Sequence, residues 1–111
     1  MDARAMAAGL KGRVVEANVG VYATLLSSAE AATDPVWIDG MRLYRSLAAE
    51  DQAAFMAFVR NAVIDSVSSV LAIVDGVAIL DGQDGEVVMT CGRDVVSGDL
   101  QEEFLVLFED P

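Results

Sequence analysis

The chain is short, acidic and rich in apolar residues, and these properties exclude several classes of protein. Its 111 residues suffice for one domain and not for two ordinary ones. With 54% hydrophobic residues it departs from the composition of disordered chains, despite a net charge of −11. We therefore treat residues 1–111 as a single domain, whose apolar content indicates either a dry core or an apolar surface that a second chain covers.

Neither a membrane span nor a secretory signal is predicted. The densest apolar run, residues 70–74, lies between Asp65 and Asp75 and is far shorter than the roughly 20 apolar residues that cross a bilayer. Residues 1–13 lack the basic-then-apolar layout of a signal peptide. The single cysteine, Cys91, can form no intrachain disulfide, which is typical of a reducing compartment. We therefore expect a cytoplasmic protein.

The net negative charge of the chain comes from its second half, because the charges of the first half balance. Residues 1–49 carry five acids and five bases, whereas residues 50–111 carry thirteen acids against Arg60 and Arg93. Such a surface repels the phosphates of nucleic acids and of anionic membranes. It attracts basic proteins and speeds their encounter. We therefore expect a basic protein as the partner, with no direct binding of nucleic acid or membrane.

The first third of the chain predicts two helices. Residues 1–13 are rich in alanine and glycine and predict a flexible or partly helical arm. Apolar residues at spacings of four and three then predict a helix over residues 14–32. A second helix is predicted to begin after Asp34, a good N-cap, with Pro35 at the first helical position. Trp37 and Tyr44 share a face of this helix, where core packing is expected; an exposed Trp37 would instead be an interface anchor.

The third helix is predicted to be the longest, over residues 49–74. Glu50 and Asp51 suit its first turn, where the helix dipole favours anions. Its apolar seam and second flank consist of Met56, Val59, Val63, Val67, Val70 and Val74, widened by Phe55, Phe58 and Ala62. An apolar surface this wide predicts a central helix that neighbours contact from two sides. Gly76 is suited to the left-handed conformation that ends helices.

The period then changes from helical to extended. Residues 77–80 and 86–91 are β-prone runs joined by a turn-rich segment, residues 81–85, and residues 92–94 lead to a further short run. A final helix is predicted from Asp99 to Glu109, because Asp99 followed by Glu102 resembles a capping box. The predicted fold is α+β and predominantly helical, with three N-terminal helices, the third one long, then a small β-hairpin and a C-terminal helix.

The sequence offers little catalytic apparatus. It contains no histidine, the commonest general base and metal ligand, so Cys91 has no histidine to activate it and is expected to be a core residue. Asp75, Asp81, Asp84 and Glu86 are close enough in sequence to hold a divalent cation, but their spacing does not match a calcium-binding EF-hand. The alternative is that these residues form turns. We predict no catalytic residue, no cofactor and no metal site.

These observations favour a small acidic protein that binds another protein, of the inhibitor or immunity class, as in antitoxin immunity or phage anti-defence. It would mask a basic site on its target. The predicted contact residues are Asp81, Asp84, Glu86, Asp94, Asp99, Glu102, Glu103, Glu109, Asp110 and Trp37. One alternative is a homo-oligomeric helical subunit of an assembly, indicated by the apolar content. A further alternative is an enzyme that depends on carboxylates or a divalent metal.

Overall fold

The computed structural model describes residues 1–109 and confirms a predominantly helical α+β fold. The α-helices are α1 (Ala3–Leu10), α2 (Ala17–Leu26), α3 (Pro35–Ser46), α4 (Ala49–Val74) and α5 (Leu100–Val106). A π-helical segment, Lys11–Glu16, joins α1 to α2, and the strands β1 (Thr90–Cys91) and β2 (Asp94–Val95) form an antiparallel hairpin.

The N-terminal arm is an ordered helix and contributes to the core. The side chain of Asp2 caps α1 by accepting a hydrogen bond from the backbone N–H of Ala5 at 2.8 Å. Leu10 and Val15 are five residues apart, a spacing that would separate them on an α-helix. The π-helical turn between them accommodates the extra residue, so both side chains pack in the same core. The helix predicted over residues 14–32 therefore ends earlier, at Leu26, and begins much earlier, at Ala3.

Helix α3 begins where the sequence predicts. The carboxylate of Asp34 accepts a hydrogen bond from the backbone N–H of Val36 at 2.8 Å, and Pro35 occupies the first turn. On its apolar face Met41 is buried, and Trp37 packs against Tyr22 of α2 with ring centroids 4.8 Å apart. The expectation of core packing for Trp37 holds in part, because its side chain is half-buried.

Replacing Asp34 by alanine tests this cap. We expect Asp34→Ala to lower the free energy of unfolding by about 1 kcal/mol, the usual cost of removing an aspartate N-cap. The matched control is Asp39→Ala, which removes a carboxylate from the surface of the same helix, where it forms an exposed ion pair with Arg42. Such pairs contribute about 0.5 kcal/mol or less. Urea denaturation measures both, and equal losses would contradict the cap assignment.

Helix α4 has the predicted bounds but not the predicted burial. Its second half is packed, with Ile64, Ser68, Leu71, Ala72 and Val74 buried, whereas Val70 and Phe58 are exposed. By length and composition alone α4 is apolar enough to cross a membrane, with a mean hydropathy of 1.6 over its best window. A core helix of a soluble protein passes the same test. Helix α4 packs against α2, α5 and the π-helical segment, and 22% of the window is buried.

The core lies at one end of the molecule. It combines Ala7, Val15, Ile64, Leu71, Val74, Leu100 and Phe104, which come from α1, the π-helical segment, the second half of α4, and α5. Helix α3 contributes nothing to this cluster. The radius of gyration is 17.2 Å, above the roughly 13 Å expected of a compact domain of this length. The helical part that contains α3 therefore extends away from the core.

The predicted β-structure forms only in part. Val95 pairs with Thr90 and Asp94 with Cys91 across a turn at Gly92, as the short hairpin requires. Residues 77–80 were predicted to be a strand and are an irregular loop instead. A strand needs a neighbour for its backbone hydrogen bonds, and within the described residues 1–109 only the two strands of the hairpin pair. The final helix is also shorter than predicted, since it ends at Val106.

Candidate protein-binding surface

Most of the predicted contact residues lie in or after the segment that follows α4. Asp81, Asp84 and Glu86 are exposed on the loop between α4 and β1, and Asp94 is exposed in β2. The remaining acids of this region belong to α5 and its flanks: Asp99, Glu102, Glu103 and Glu109. All of these are exposed except Glu103, which is half-buried, and Asp110 lies outside the described residues.

Two of these carboxylates form ion pairs. The amino group of Met1 donates a hydrogen bond to Oδ2 of Asp94 at 2.8 Å, and this contact raises the pKa of the Met1 ammonium above its usual value of 8.0. The guanidinium of Arg4 lies 3.7 Å from Glu103. Both pairs are largely solvated and contribute little to stability. The acidic region therefore keeps most of its negative charge available to a partner.

The structure brings three predicted residues together beside α5. Asp99, Glu102 and Glu103 line one shallow depression, together with Arg4 and Val106. Glu102 and Glu103 occupy the first turn of α5, where the positive end of the helix dipole suits them. This cluster is polar and highly charged, so it can attract a basic partner but offers little apolar area for binding.

A second depression on the same half of the chain supplies the apolar area. It has a volume of about 570 Å³ and is lined by Val74, Ile79, Val87, Val88 and Val95 together with Glu86; we call it the loop groove. Ile79 is 77% exposed, and Val88 and Val95 are also exposed. Because β-branched side chains are costly to leave in water, so many in one groove indicate a contact surface.

The loop that forms the groove is held in shape by side-chain hydrogen bonds. The side chain of Gln83 accepts a hydrogen bond from the backbone N–H of Leu80 at 3.0 Å and donates one to the carbonyl of Gly85 at 2.9 Å. Gly82 and Gly85 have positive φ angles of 79° and 95°, which suit glycine. At the end of the loop, the hydroxyl of Ser97 accepts from the N–H of Met89 at 3.0 Å. The groove is thus preformed rather than assembled on binding.

Asp75 has a structural role that sequence reasoning missed. Its two carboxylate oxygens accept hydrogen bonds from the backbone N–H groups of Gly98 and Gln101, each at 2.7 Å. Asp75 ends α4 and caps the start of α5 from across the fold. Asp99, the predicted cap, makes no side-chain capping bond. Asp75 therefore connects the end of α4 to the start of α5.

The alternative of a metal or catalytic site gains no geometric support from the described part of the chain. Within residues 1–109, no three acidic or cysteine side chains approach closely enough to share a metal ion. Cys91 is half-buried in β1 rather than in the core. The expected cofactor-free, non-catalytic character remains a prediction.

Trp37 does not belong to the acidic surface. It lines a separate cavity of about 140 Å³ between α2 and α3, with Leu25, Ala31 and Met41 among its neighbours. None of the cavity's lining residues belongs to the acidic region after α4. The sequence placed Trp37 among the contact residues together with the acids, but in the structure it lies on a different surface.

Sequence reasoning also missed the apolar lining of the loop groove. Residues 77–80 and 86–91 are predicted to be strands, and one face of a strand is normally packed against the core. The available signal was that an acidic, glycine-rich turn separates these two short β-prone runs, and that only one further short run, after residues 92–94, could pair with them. Comparison with known proteins found no matching family model, no similar curated protein and no similar solved structure.

Proposed function

We propose that the protein binds another protein that carries a basic and partly apolar segment, and that the loop groove and the neighbouring carboxylates receive it. The observation that carries this proposal is the combination of exposed β-branched side chains with exposed acids in one surface region. Ile79, Val88 and Val95 offer apolar area, and Glu86 lies in the same groove.

The exposed apolar side chains and the exposed acidic side chains contribute to binding in different ways. Burial of apolar area supplies affinity at about 25 cal/mol per Å². The acidic side chains attract a basic partner over distance and raise the association rate by about 10- to 1,000-fold at low ionic strength. Residues 65–111 carry eleven acids and one base, so the charge lies in the half of the chain that forms the groove.

Such a surface suits an inhibitor or immunity-type protein. A target that binds polyanions, such as a nuclease, has a basic substrate site, and a preformed acidic surface that covers this site would block it. The same role is compatible with phage anti-defence, where the target is a bacterial enzyme. We place the activity in the cytoplasm, in keeping with the single cysteine.

Capture of the partner from the native cell, followed by kinetics, tests the function. The tagged full-length chain is used as bait at low salt, and the retained proteins are identified by mass. We expect a protein with a basic surface that binds wild type and loses binding to Ile79→Asp, which puts a charge in the loop groove. Val36→Asp is the matched control, because Val36 is equally exposed, at 78% against 77%, and lies on α3.

The rate of association with the captured partner then tests the contribution of the acidic side chains. Glu86→Gln combined with Glu102→Gln should slow association with the captured partner several-fold at low salt and flatten its salt dependence. Glu30→Gln combined with Glu50→Gln removes the same charge from residues 1–64, outside the loop groove, and should change neither. Equal effects of the two double variants, or full binding by Ile79→Asp, would refute the proposal.

A further inference from the structure

The first half of α4 carries an apolar surface that the described residues 1–109 cover only in part. Phe58 is 79% exposed and lies in a shallow groove of about 470 Å³. The groove is lined by Leu47, Ala54, Phe55, Phe58, Val59 and Ala62, with Asp51 as the charged member; we call it the Phe58 groove. An exposed aromatic side chain in an apolar groove of this size is characteristic of an interface.

The helices around this groove are poorly covered. In residues 17–63, all of which the structure describes, the buried hydrophobic residues are Leu26 and Met41. Short helices such as α3 are marginal in water unless packing covers their apolar faces. The core around Phe104 lies at the other end of the molecule and does not include α3. Within the described residues 1–109, nothing else covers these faces.

The total exposed area of the chain is larger than that of a compact monomer of the same mass. The chain exposes 7663 Å², whereas a compact monomer of this mass exposes about 5,900 Å². The excess is about 1,800 Å² over the whole chain, the loop groove included, which is about twice the roughly 800 Å² that each partner buries in a standard interface. A small ligand cannot cover so much surface, but a second protein chain can.

The distribution of charge favours a second copy of this chain. Residues 1–64 carry seven acids and six bases, so two copies that meet through this half repel each other little. A pairing through residues 65–111 would bring eleven acids of each copy together, which is strongly unfavourable. The partner expected at the loop groove is basic, so the two surfaces attract different partners.

We infer that the protein is a homodimer in which the first half of α4 packs against the same segment of a second copy, with Phe58 of each chain in the Phe58 groove of the other. A twofold interface needs a surface that carries both a projection and a recess. Phe58 is the projection, and the small side chains of Ala54 and Ala62, each about one turn from it on the same face, leave room for the recess. The inference is independent of what the loop groove binds.

Sedimentation equilibrium of the full-length chain tests the dimer. We expect a mass of about 23 kDa at micromolar concentration, twice the 11.7 kDa of one chain. Phe58→Asp should weaken dimerisation by at least about thirtyfold, the effect of losing a central interface side chain. Ala62→Arg, which fills the groove with a charged side chain and retains helix propensity, should act in the same direction. Circular dichroism of both variants at the same protein concentration checks that they remain folded and helical.

The control and the contradicting outcomes are equally specific. Ile79→Asp introduces the same charge at a residue of almost the same exposure in the loop groove, and should leave the mass at that of the dimer. A monomeric wild-type chain would overturn the inference, as would a dimer that Phe58→Asp and Ala62→Arg leave intact. A wild-type monomer that floats with phosphatidylcholine vesicles would overturn it too, and would assign the Phe58 groove to a lipid surface.

Discussion

Phe104→Ala is expected to lower the free energy of unfolding by about 3–5 kcal/mol, the usual range for removing a phenylalanine from a core. The side chain of Phe104 is fully buried and lies in the cluster where α1, α4 and α5 meet. Its ring packs edge-to-face on Phe108 with centroids 4.9 Å apart. The neighbours come from different helices, and such surroundings relax only partly into the cavity that alanine would leave.

The control for this prediction is Leu105→Ala in the same helix. Leu105 is the next residue but is exposed, so its truncation should cost about 0.5 kcal/mol or less. Urea denaturation followed by circular dichroism measures both variants, at one fixed protein concentration because association shifts the apparent stability. A loss below about 1.5 kcal/mol for Phe104→Ala would show that this cluster is not the core.

Asp75→Ala is expected to cost about 2–3 kcal/mol, because it removes two hydrogen bonds to a charged acceptor. These bonds connect the end of α4 to the backbone of Gly98 and Gln101 at the start of α5. The N–H of Gln101 lies in the first turn of α5 and has no helical acceptor, and the N–H of Gly98 lies just before the helix, so both would then depend on water. Asp75→Asn retains one good acceptor oxygen and should lose about half as much as Asp75→Ala.

Asp99→Ala is the control, and it distinguishes the observed cap from the sequence-based one. Asp99 occupies the N-cap position of α5 but makes no side-chain capping bond, so its replacement should cost about 0.5 kcal/mol or less. The free energies of unfolding from urea titration decide between the two. If Asp99→Ala costs more than Asp75→Ala, the capping box inferred from residues 99–102 is the true cap.

The loop groove and the Phe58 groove lie in two different parts of the chain. The near-neutral half contains the uncovered helices, and the acidic half contains the preformed groove with its carboxylates. A protein that masks a basic target needs its acidic surface free, and self-association through the other half leaves it so. The proposed dimer and the proposed inhibitor role are therefore compatible, and the experiments above test each without the other.

Local chemistry determined the elements whose signals lie within a few residues. Asp34 and Pro35 specify the start of α3, because an N-cap acts on the N–H groups of the next turn. Apolar periodicity specified the bounds of α4, and the acid count specified which half of the chain is charged. These properties need no knowledge of what the segment packs against.

Tertiary structure decided everything that depends on a distant neighbour. Residues 77–80 have the composition of a strand, but no strand lies beside them in the described chain, and so they expose Ile79 instead of burying it. Asp75 caps α5 from 23 residues away in sequence, measured to Gly98, a distance that no local pattern encodes. Phe58 belongs to an apolar flank that the sequence predicts to be covered, and the structure leaves it exposed. Periodicity shows that a face is apolar, whereas what covers that face is determined by packing between elements that are far apart in the chain.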